Sequence, residues 1–232
     1  MSAENLKFPY PKQALFYQGA RELVGNLTHL LKIKVTGTEF IQPQTPTIYS
    51  YFPHTGHGDS VVIHHVLKNN GVKNIITPAA KDYWFRNIWT ALLANTTMPA
   101  FPLHRESGPR QTHEDLDCLI TMLNSGFSAL ISPEGTRSNK LPEERKLKRG
   151  VAYLASKTGF PIVPIVIVGY EDVWPRGRKL PNPFETGLNR KKVTVCFSNP
   201  LQFGKIDKDK IIADLRQIFL TTYHQISTLT DF

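Results

Sequence analysis

Apolar positions recur along the chain at two spacings, one typical of helices and the other of buried strands. Residues 14–31 repeat an apolar side chain every three or four positions, which predicts an amphipathic N-terminal helix. The same spacing predicts helices over residues 60–70, 82–94, 112–124, 149–157 and 208–224. Short apolar runs, several of them β-branched, predict strands over residues 33–36, 47–52, 73–77, 100–103, 127–132, 162–168 and 192–197.

The alternation of strands with helices predicts the fold class. We expect an α/β fold in a single domain, with a largely parallel mixed sheet that carries helices on both faces. The helix over residues 14–31 either packs on this domain or lies in a membrane interface, and packing is the interpretation that we favour. Residues 174–189, with their Pro and Gly residues, are expected to form a long surface loop.

Composition excludes several classes of protein. Hydrophobic residues make up 41% and charged residues 20% of the chain, which excludes a disordered chain, a coiled coil and a collagen-like fibre. No apolar run approaches the roughly 18 residues that span a bilayer, and the first residues lack a signal pattern, so we expect a cytoplasmic protein. The two cysteines, Cys118 and Cys196, lie far apart without CxxC spacing, which disfavours a disulfide framework or a thiolate zinc site.

The positive charge of the chain indicates an anionic partner. There are 28 Lys and Arg residues against 19 Asp and Glu residues, which gives a formal net charge of +9. Nucleic acid, an anionic membrane surface and a phosphorylated substrate all fit this charge. Basic residues cluster within residues 145–149, 176–179 and 190–192, and we expect the last two clusters to be solvated loops.

Three loops that follow predicted strands carry unusual polar residues. They are residues 53–60, 104–111 and 132–148. In open α/β sheets, ligands bind beyond the carboxyl ends of the strands. These three loops are therefore the candidate functional site.

The first of these loops, PHTGHGDS, places His54 and Asp59 five positions apart. Gly56 and Gly58 allow the chain to turn back, so that Asp59 can accept a hydrogen bond from one imidazole nitrogen of His54. The other nitrogen is then available as a general base. The alternative interpretation makes Asp59 a helix N-cap and His54 a surface histidine.

Two further segments supply candidate groups for binding an anion. The segment SPEGTRS follows a buried strand, and Glu134 and Arg137 around Gly135 can fix a phosphate or the hydroxyls of an acceptor. The alternative is an ordinary turn with a local ion pair. The segment FPLHR ends a strand with Arg105, and Lys148 precedes a helix N-terminus, where anions bind favourably.

In this order and at this spacing, these segments resemble the PlsC-type glycerolipid acyltransferase family, which includes 1-acyl-glycerol-3-phosphate acyltransferases. The resemblance covers residues 45–200. It implies that His54 is the general base and Asp59 its partner. It also implies a set of residues that bind the substrate, a phosphorylated acceptor, namely Lys81, Arg105, Glu134, Gly135, Thr136, Arg137 and Lys148.

The resemblance also implies a function. It is that of an O-acyltransferase that moves a fatty acyl group from acyl-CoA or an acyl carrier protein to the hydroxyl of lysophosphatidate, in phospholipid biosynthesis, with no metal or other cofactor. The alternative acceptors are glycerol-3-phosphate, another lysophospholipid, and a non-lipid alcohol or amine. Pro53, where the family often has asparagine, and His104, beside the arginine of the second segment, leave the acceptor open.

The resemblance sets the expected domain organisation and location. We expect residues 1–36 to form an N-terminal helical segment that packs on the core or on a membrane, and residues 37–232 to form the acyltransferase domain. Many members of the family carry transmembrane helices, which this sequence lacks. Contact with the inner face of a membrane would therefore be peripheral, through the 14–31 helix, the aromatic segment 83–89 and basic loops.

Two other functions are alternatives. Five side chains lie close together in the sequence, as in a metal-dependent hydrolase: His54, His57, Asp59, His64 and His65. Their spacing does not fit that class, because the first two histidines are three positions apart rather than two, and adjacent helical histidines point about 100° apart. Only the charge suggests a nucleic-acid binder, since the sequence has no zinc finger, RNP-like block or helix-turn-helix signature.

Overall fold

The structure is a computed structural model that describes residues 15–56, 58–104, 109–178, 180–203 and 207–230. Within these residues, the strands are β1 (Lys32–Thr36), β2 (Ile48–Phe52), β3 (Ile75–Ala80), β4 (Ala100–Leu103), β5 (Ser128–Ile131), β6 (Ile162–Val168) and β7 (Lys192–Phe197). The helices are α1 (Leu15–Leu27), α2 (Asp59–Asn69), α3 (Lys81–Trp84), α4 (Ile88–Thr97), α5 (Pro109–Asn124), α6 (Gly150–Thr158), α7 (Tyr170–Val173) and α8 (Lys208–Thr230).

These seven strands form one sheet in the order β1-β7-β6-β2-β5-β3-β4. Neighbouring strands run parallel in every pair except β6–β7, which is antiparallel. β1 pairs with β7, with Lys32 opposite Lys192. The prediction of an α/β fold with a largely parallel mixed sheet is therefore confirmed.

Strand β6 shows why helices cover both faces of the sheet. Every residue of Ile162–Val168 is buried, and successive side chains of a strand point to opposite faces. Val166 and Val168 pack into a core formed with α5, α6 and α8, whereas Ile165 and Ile167 pack into a second core formed with α2. Apolar side chains on both faces of the sheet thus require a layer of helices on each side.

The segment predicted as a single helix over residues 82–94 is divided in the structure. It forms α3 and α4, with residues 85–87 between them. Asn87 explains the interruption, because its side-chain oxygen accepts a hydrogen bond from the Thr90 N–H at 3.0 Å and caps the start of α4. The prediction of one continuous helix is wrong here. The aromatic residues continue the helical spacing of apolar positions across residues 85–87, so that spacing does not reveal that Asn87 begins a new helix.

Helix α1 packs on the domain, but not with the face that the sequence indicates. It contacts α4 and α2, with Arg21 Nε donating to the Asn95 carbonyl at 2.9 Å, and Gly25 buried against His65. Of the leucines of the predicted apolar face, Leu31 beyond the end of α1 is buried, whereas Leu23 and Leu27 of α1 point outward and are 66% and 56% exposed. None of the described helices combines the length and the apolar character needed to cross a bilayer.

Candidate active site

Loops at the carboxyl ends of the central strands open onto one cavity of about 340 Å³. The segment after β2 contributes His54, and the segment after β5 contributes Gly135, Thr136 and Arg137. Arg176, from the loop that follows α7, also lines this cavity. We call it the His54 cavity. Two of the three candidate loops therefore meet at one site.

The imidazole of His54 is held by the carboxylate of Asp59. Nδ1 lies 2.8 Å from Asp59 Oδ2, and the same oxygen accepts the backbone N–H groups of Thr55 at 3.1 Å and Gly56 at 3.2 Å. Asp59 is fully buried as the first residue of α2. The carboxylate accepts a hydrogen bond from the Nδ1–H of His54. Nε2 therefore carries no proton and keeps its lone pair, and the His54 side chain lines the cavity.

The two glycines of this loop are required for close packing rather than for an unusual backbone conformation. A Cβ on Gly58 would lie 2.2 Å from the hydroxyl oxygen of Tyr170, and one on Gly56 would lie 2.6 Å from the ring of the same tyrosine. Neither glycine has a positive φ. Burial, followed by the charge of Asp59, raises the pKa of Tyr170, so its hydroxyl stays neutral against the loop.

A buried ion pair holds the backbone of His54. Glu134 Oε2 accepts the His54 N–H at 2.5 Å, and Glu134 Oε1 accepts a bond from Arg145 NH1 at 3.1 Å. Arg145 NH1 also donates to the His54 carbonyl at 3.3 Å. Burial raises the pKa of Glu134, whereas the His54 N–H and the Arg145 charge oppose that rise.

Glu134 lies behind the loop of His54 and not in the wall of the His54 cavity. Both of its carboxylate oxygens accept bonds from the protein, its side chain is 3% exposed, and it does not line that cavity. This placement does not support direct contact with an acceptor. The sequence does not single out Arg145, because nothing in the charge run 145–149 distinguishes the buried arginine from its exposed neighbours.

Two arginines make the wall of the His54 cavity positive. The Arg137 guanidinium lies 5.7 Å from the centroid of the Tyr83 ring, and Arg176 NH1 donates to the Arg137 carbonyl at 3.2 Å. Of the described residues that line this cavity, none is acidic. Arg176 is exposed, as expected for the 176–179 cluster, but it also lines the cavity, because the loop folds back and brings Pro175 beside Gly56.

A second histidine–carboxylate pair lies beside the site. His104 Nδ1 is 2.9 Å from Asp115 Oδ2, and the His104 N–H donates to the same oxygen at 2.6 Å. His104 Nε2 is 2.9 Å from Lys81 Nζ, so the imidazole accepts a bond from the ammonium group. Lys81 itself does not line the His54 cavity. Arg105, the neighbour of this histidine, lies outside the described residues.

Lys148 lies at a different cavity from His54. Gly135 adopts φ +67°, and a Cβ built on it would lie 3.1 Å from Lys148 Nζ, so the lysine side chain runs over this glycine. Lys148 lines a second cavity of about 610 Å³ and is absent from the wall of the His54 cavity. The implied contact of Lys148 with the acceptor therefore has no support from its position.

The neighbouring histidines of α2 lie in different surroundings. Burial, with nearby positive charges, lowers the pKa of His64 to about 3, so this imidazole is neutral in the folded protein. His65 instead packs against Gly25 of α1. In the part of the chain that the structure describes, no three His, Cys, Asp or Glu side chains come together as metal ligands. His57 lies outside that part.

Known proteins are similar to this chain in sequence. A family model described as Acyltransferase matches residues 32–168. The chain is 33% identical over 114 residues to 1-acyl-sn-glycerol-3-phosphate acyltransferase BAT2, chloroplastic, of Brassica napus, covering 49% of this chain and 31% of that protein. It is 34% identical over 112 residues to 1-acyl-sn-glycerol-3-phosphate acyltransferase alpha of Ovis aries, covering 47% and 36%. These matches span about a third of the length of the curated relatives.

A solved structure is similar in fold. The crystal structure of the 1-acyl-sn-glycerophosphate (LPA) acyltransferase PlsC from Thermotoga maritima superposes with a TM-score of 0.65 at 18% identity. The superposition covers 90% of this chain and 79% of that chain. At this identity the likeness concerns the fold. The family model, by contrast, covers more than half of the chain and includes both the loop of His54 and the segment of Arg137.

Proposed function

The chain belongs to the acyltransferase family, and we propose that it moves a fatty acyl group from a thioester to the hydroxyl of 1-acyl-glycerol-3-phosphate. One observation carries this proposal. His54, whose imidazole is held at 2.8 Å by Asp59, lines a cavity that Arg137 and Arg176 also line. A base and two cations in one cavity suit a hydroxyl and a phosphate of the same acceptor.

His54 acts as the general base in the proposed reaction. Its Nε2 takes the proton of the acceptor hydroxyl as the oxygen attacks the carbonyl carbon of the thioester. The carbon–sulfur bond then breaks, and the leaving thiolate takes that proton from the imidazolium. Asp59 stabilises the imidazolium between these two steps because its carboxylate stays within 2.8 Å of Nδ1.

The charges of the cavity support a phosphorylated acceptor. Arg176 donates to the backbone carbonyl of Arg137, which brings two guanidinium groups into one wall with no acidic lining residue among those described. A phosphate dianion compensates two such charges and fits the fork of donors that each guanidinium presents. Arg105 remains an expected phosphate ligand from the resemblance, whereas Lys81 bonds to His104 and does not line the cavity.

Exposed apolar residues beside the cavity support a lipid acceptor. Tyr83 and Trp84 line the cavity at the end of β3, and the chain continues into α4, where Ile88 and Trp89 are 77% and 76% exposed. Helix α1, which packs on α4, adds the outward leucines. Exposed apolar side chains on paired helices are typical of a surface that lies on a membrane. We therefore infer peripheral contact with a membrane that holds the acceptor.

A panel of acceptors tests this function. Purified protein is incubated with radiolabelled palmitoyl-CoA and lysophosphatidate, glycerol-3-phosphate or lysophosphatidylcholine, and the products are separated by chromatography. We expect phosphatidate to be the main product, and the Arg137→Ala variant to raise the KM for lysophosphatidate. Exclusive acylation of another acceptor contradicts the proposed acceptor, and the absence of acyl transfer to every acceptor contradicts the proposed reaction.

A further inference from the structure

The second cavity, of about 610 Å³, adjoins the His54 cavity. Leu103, Ile131, Ser132 and Gly135 line both of them. We call this second space the Lys148 cavity. Anything bound in it lies next to the reacting groups without occupying the wall that Arg137 and Arg176 form.

The Lys148 cavity has an apolar interior. Leu116 of α5 and Val151 of α6 line it, and both are buried, with exposures of 5% and 0%. Pro133 and Tyr153 add to the apolar part of the wall, and the polar side chains that line the same cavity are those of His104, Thr112, His113 and Ser132. This mixed surface suits an uncharged chain that carries amide and hydroxyl groups.

The edge of the Lys148 cavity is cationic. Lys148, Arg149 and Lys208 all line it. Arg149 is paired with Asp209 through bonds of 2.7 and 2.8 Å, so its charge is compensated. No carboxylate of the described residues pairs with Lys148 or Lys208, and Lys208 Nζ lies 4.9 Å from the centroid of the Tyr153 ring. Lys208 is thus the cation that an anion can reach at the edge of the cavity, whereas Lys148 Nζ lies over Gly135, where the two cavities meet.

We propose that the Lys148 cavity receives the phosphopantetheine arm of the acyl donor, with its phosphate on Lys208 and its thioester end beside Gly135, where the two cavities meet. This inference rests on the proposed function, because the thioester must reach the His54 cavity from an adjoining space. The arm is an uncharged chain with two amides and a hydroxyl, and it ends in a phosphate at one end and the thioester at the other, which matches a mixed apolar and polar wall with a lysine at its edge. Coenzyme A and acyl carrier protein share this chemistry.

Two substitutions separate the two parts of the cavity. Lys208→Glu reverses one charge at the edge of the cavity. Lys210→Glu is the matched control, because Lys210 lies two residues further along α8, on a different side of the helix, and does not line the cavity. Gly150→Leu fills the interior. A Cβ at Gly150 meets only Leu116 Cδ2, at 4.0 Å, so the added side chain has room to project into the cavity.

Calorimetric titration with CoA tests the proposal without turnover. We expect Lys208→Glu and Gly150→Leu each to weaken CoA binding about tenfold or more. The first variant loses a charge-assisted contact with the phosphate, and the second loses the space for the arm. The same variants should raise the KM for palmitoyl-CoA and leave the KM for lysophosphatidate unchanged. Unchanged CoA affinity in both variants, or an equal loss in Lys210→Glu, contradicts the proposal.

Further ligands distinguish the two sources of the arm. Weaker binding of 3′-dephospho-CoA than of CoA favours the nucleotide form, and displacement of CoA by holo acyl carrier protein favours the protein-bound form. In either case 4′-phosphopantetheine should compete with CoA, and its failure to do so overturns the inference. If the wild type transfers acyl groups and both variants bind CoA as tightly as the wild type, this inference alone is contradicted. If the variants bind CoA more weakly but the wild type acylates no acceptor, the proposed function alone is contradicted.

Discussion

Arg145 and Glu134 form a buried ion pair that hydrogen-bonds to both the N–H and the carbonyl group of His54. NH1 of the arginine lies 3.1 Å from Oε1 of the glutamate, and the two side chains are 5% and 3% exposed. The glutamate accepts the His54 N–H, and the arginine donates to the His54 carbonyl. Arg216 of α8 in turn donates to the Arg145 carbonyl at 2.5 Å, which ties the last helix to the loop of the proposed base.

Removing one partner of this ion pair should cost far more stability than removing both charges. Arg145→Met leaves a buried carboxylate without its cation, and we expect a loss of about 3–5 kcal/mol in the free energy of unfolding. The double variant Arg145→Met/Glu134→Gln should recover much of that loss, because no buried charge remains and the amide oxygen can still accept the His54 N–H. Urea unfolding of the two single variants and the double variant measures the coupling.

The kinetics of Glu134→Gln separate the positioning of His54 from substrate binding. We expect kcat to fall while the KM for lysophosphatidate stays unchanged, because Glu134 contacts the loop and does not line the cavity. A raised KM with an unchanged kcat would instead indicate direct contact with the acceptor, as the sequence resemblance implies.

Gly58→Ala should displace the loop of the proposed base. The added methyl group would lie 2.2 Å from the Tyr170 hydroxyl, so the loop or the tyrosine must move. We expect a lower kcat and a destabilised fold. Gly19→Ala is the control, because nothing lies within 4 Å of its added Cβ on α1, and it should stabilise the helix by about 0.5–1 kcal/mol. Equal kcat values for both variants and the wild type would show that the close contact is not needed.

His64 should make stability depend on pH. Its pKa is about 3 in the folded protein against 6.5 in the unfolded chain, so only the unfolded state takes up this proton between those values. Stability is therefore lost as pH falls below 6.5, by up to about 1.4 kcal/mol per pH unit. His64→Leu should show a flatter pH profile in urea unfolding than the wild type. Identical slopes for the wild type and His64→Leu would refute this prediction.

Binding to vesicles should depend on the apolar residues of α4. Trp89 is 76% exposed on the helix that packs against α1. We expect Trp89→Glu to reduce cosedimentation with vesicles of phosphatidylcholine and phosphatidylglycerol, since a carboxylate in the interface is unfavourable and repels anionic lipid. Leu188→Glu is the control for an added charge, because that leucine is 88% exposed in the loop before β7 and is part of neither α1 nor α4. An equal effect of both substitutions would indicate a general response to charge.

The sequence predicts the sheet and the contact of His54 with Asp59 because both follow from local patterns. β6 is a run of β-branched and apolar residues between Pro161 and Gly169, and its predicted bounds match the observed strand. His54 and Asp59 lie on a single short loop, so their contact needs only a turn in the backbone.

Contacts between distant segments are what the sequence does not predict. Arg145 is 91 positions from His54, and Arg176 is 39 positions from Arg137, yet the fold brings each pair within hydrogen-bond distance. Asp115 reaches His104 only because the first turns of α5 fold back on the end of β4. A charge run in a sequence indicates solvent exposure on average, and only the tertiary structure separates the buried arginine from its neighbours.

The most direct test of the proposed role of His54 is the kcat of His54→Ala for acyl transfer from palmitoyl-CoA to lysophosphatidate. We expect kcat to fall roughly a hundredfold to ten-thousandfold, the usual contribution of a general base, in a variant that still binds CoA. The exposed His224→Ala should keep the wild-type rate, as the matched control for loss of an imidazole. A kcat for His54→Ala equal to that of the wild type would contradict that role.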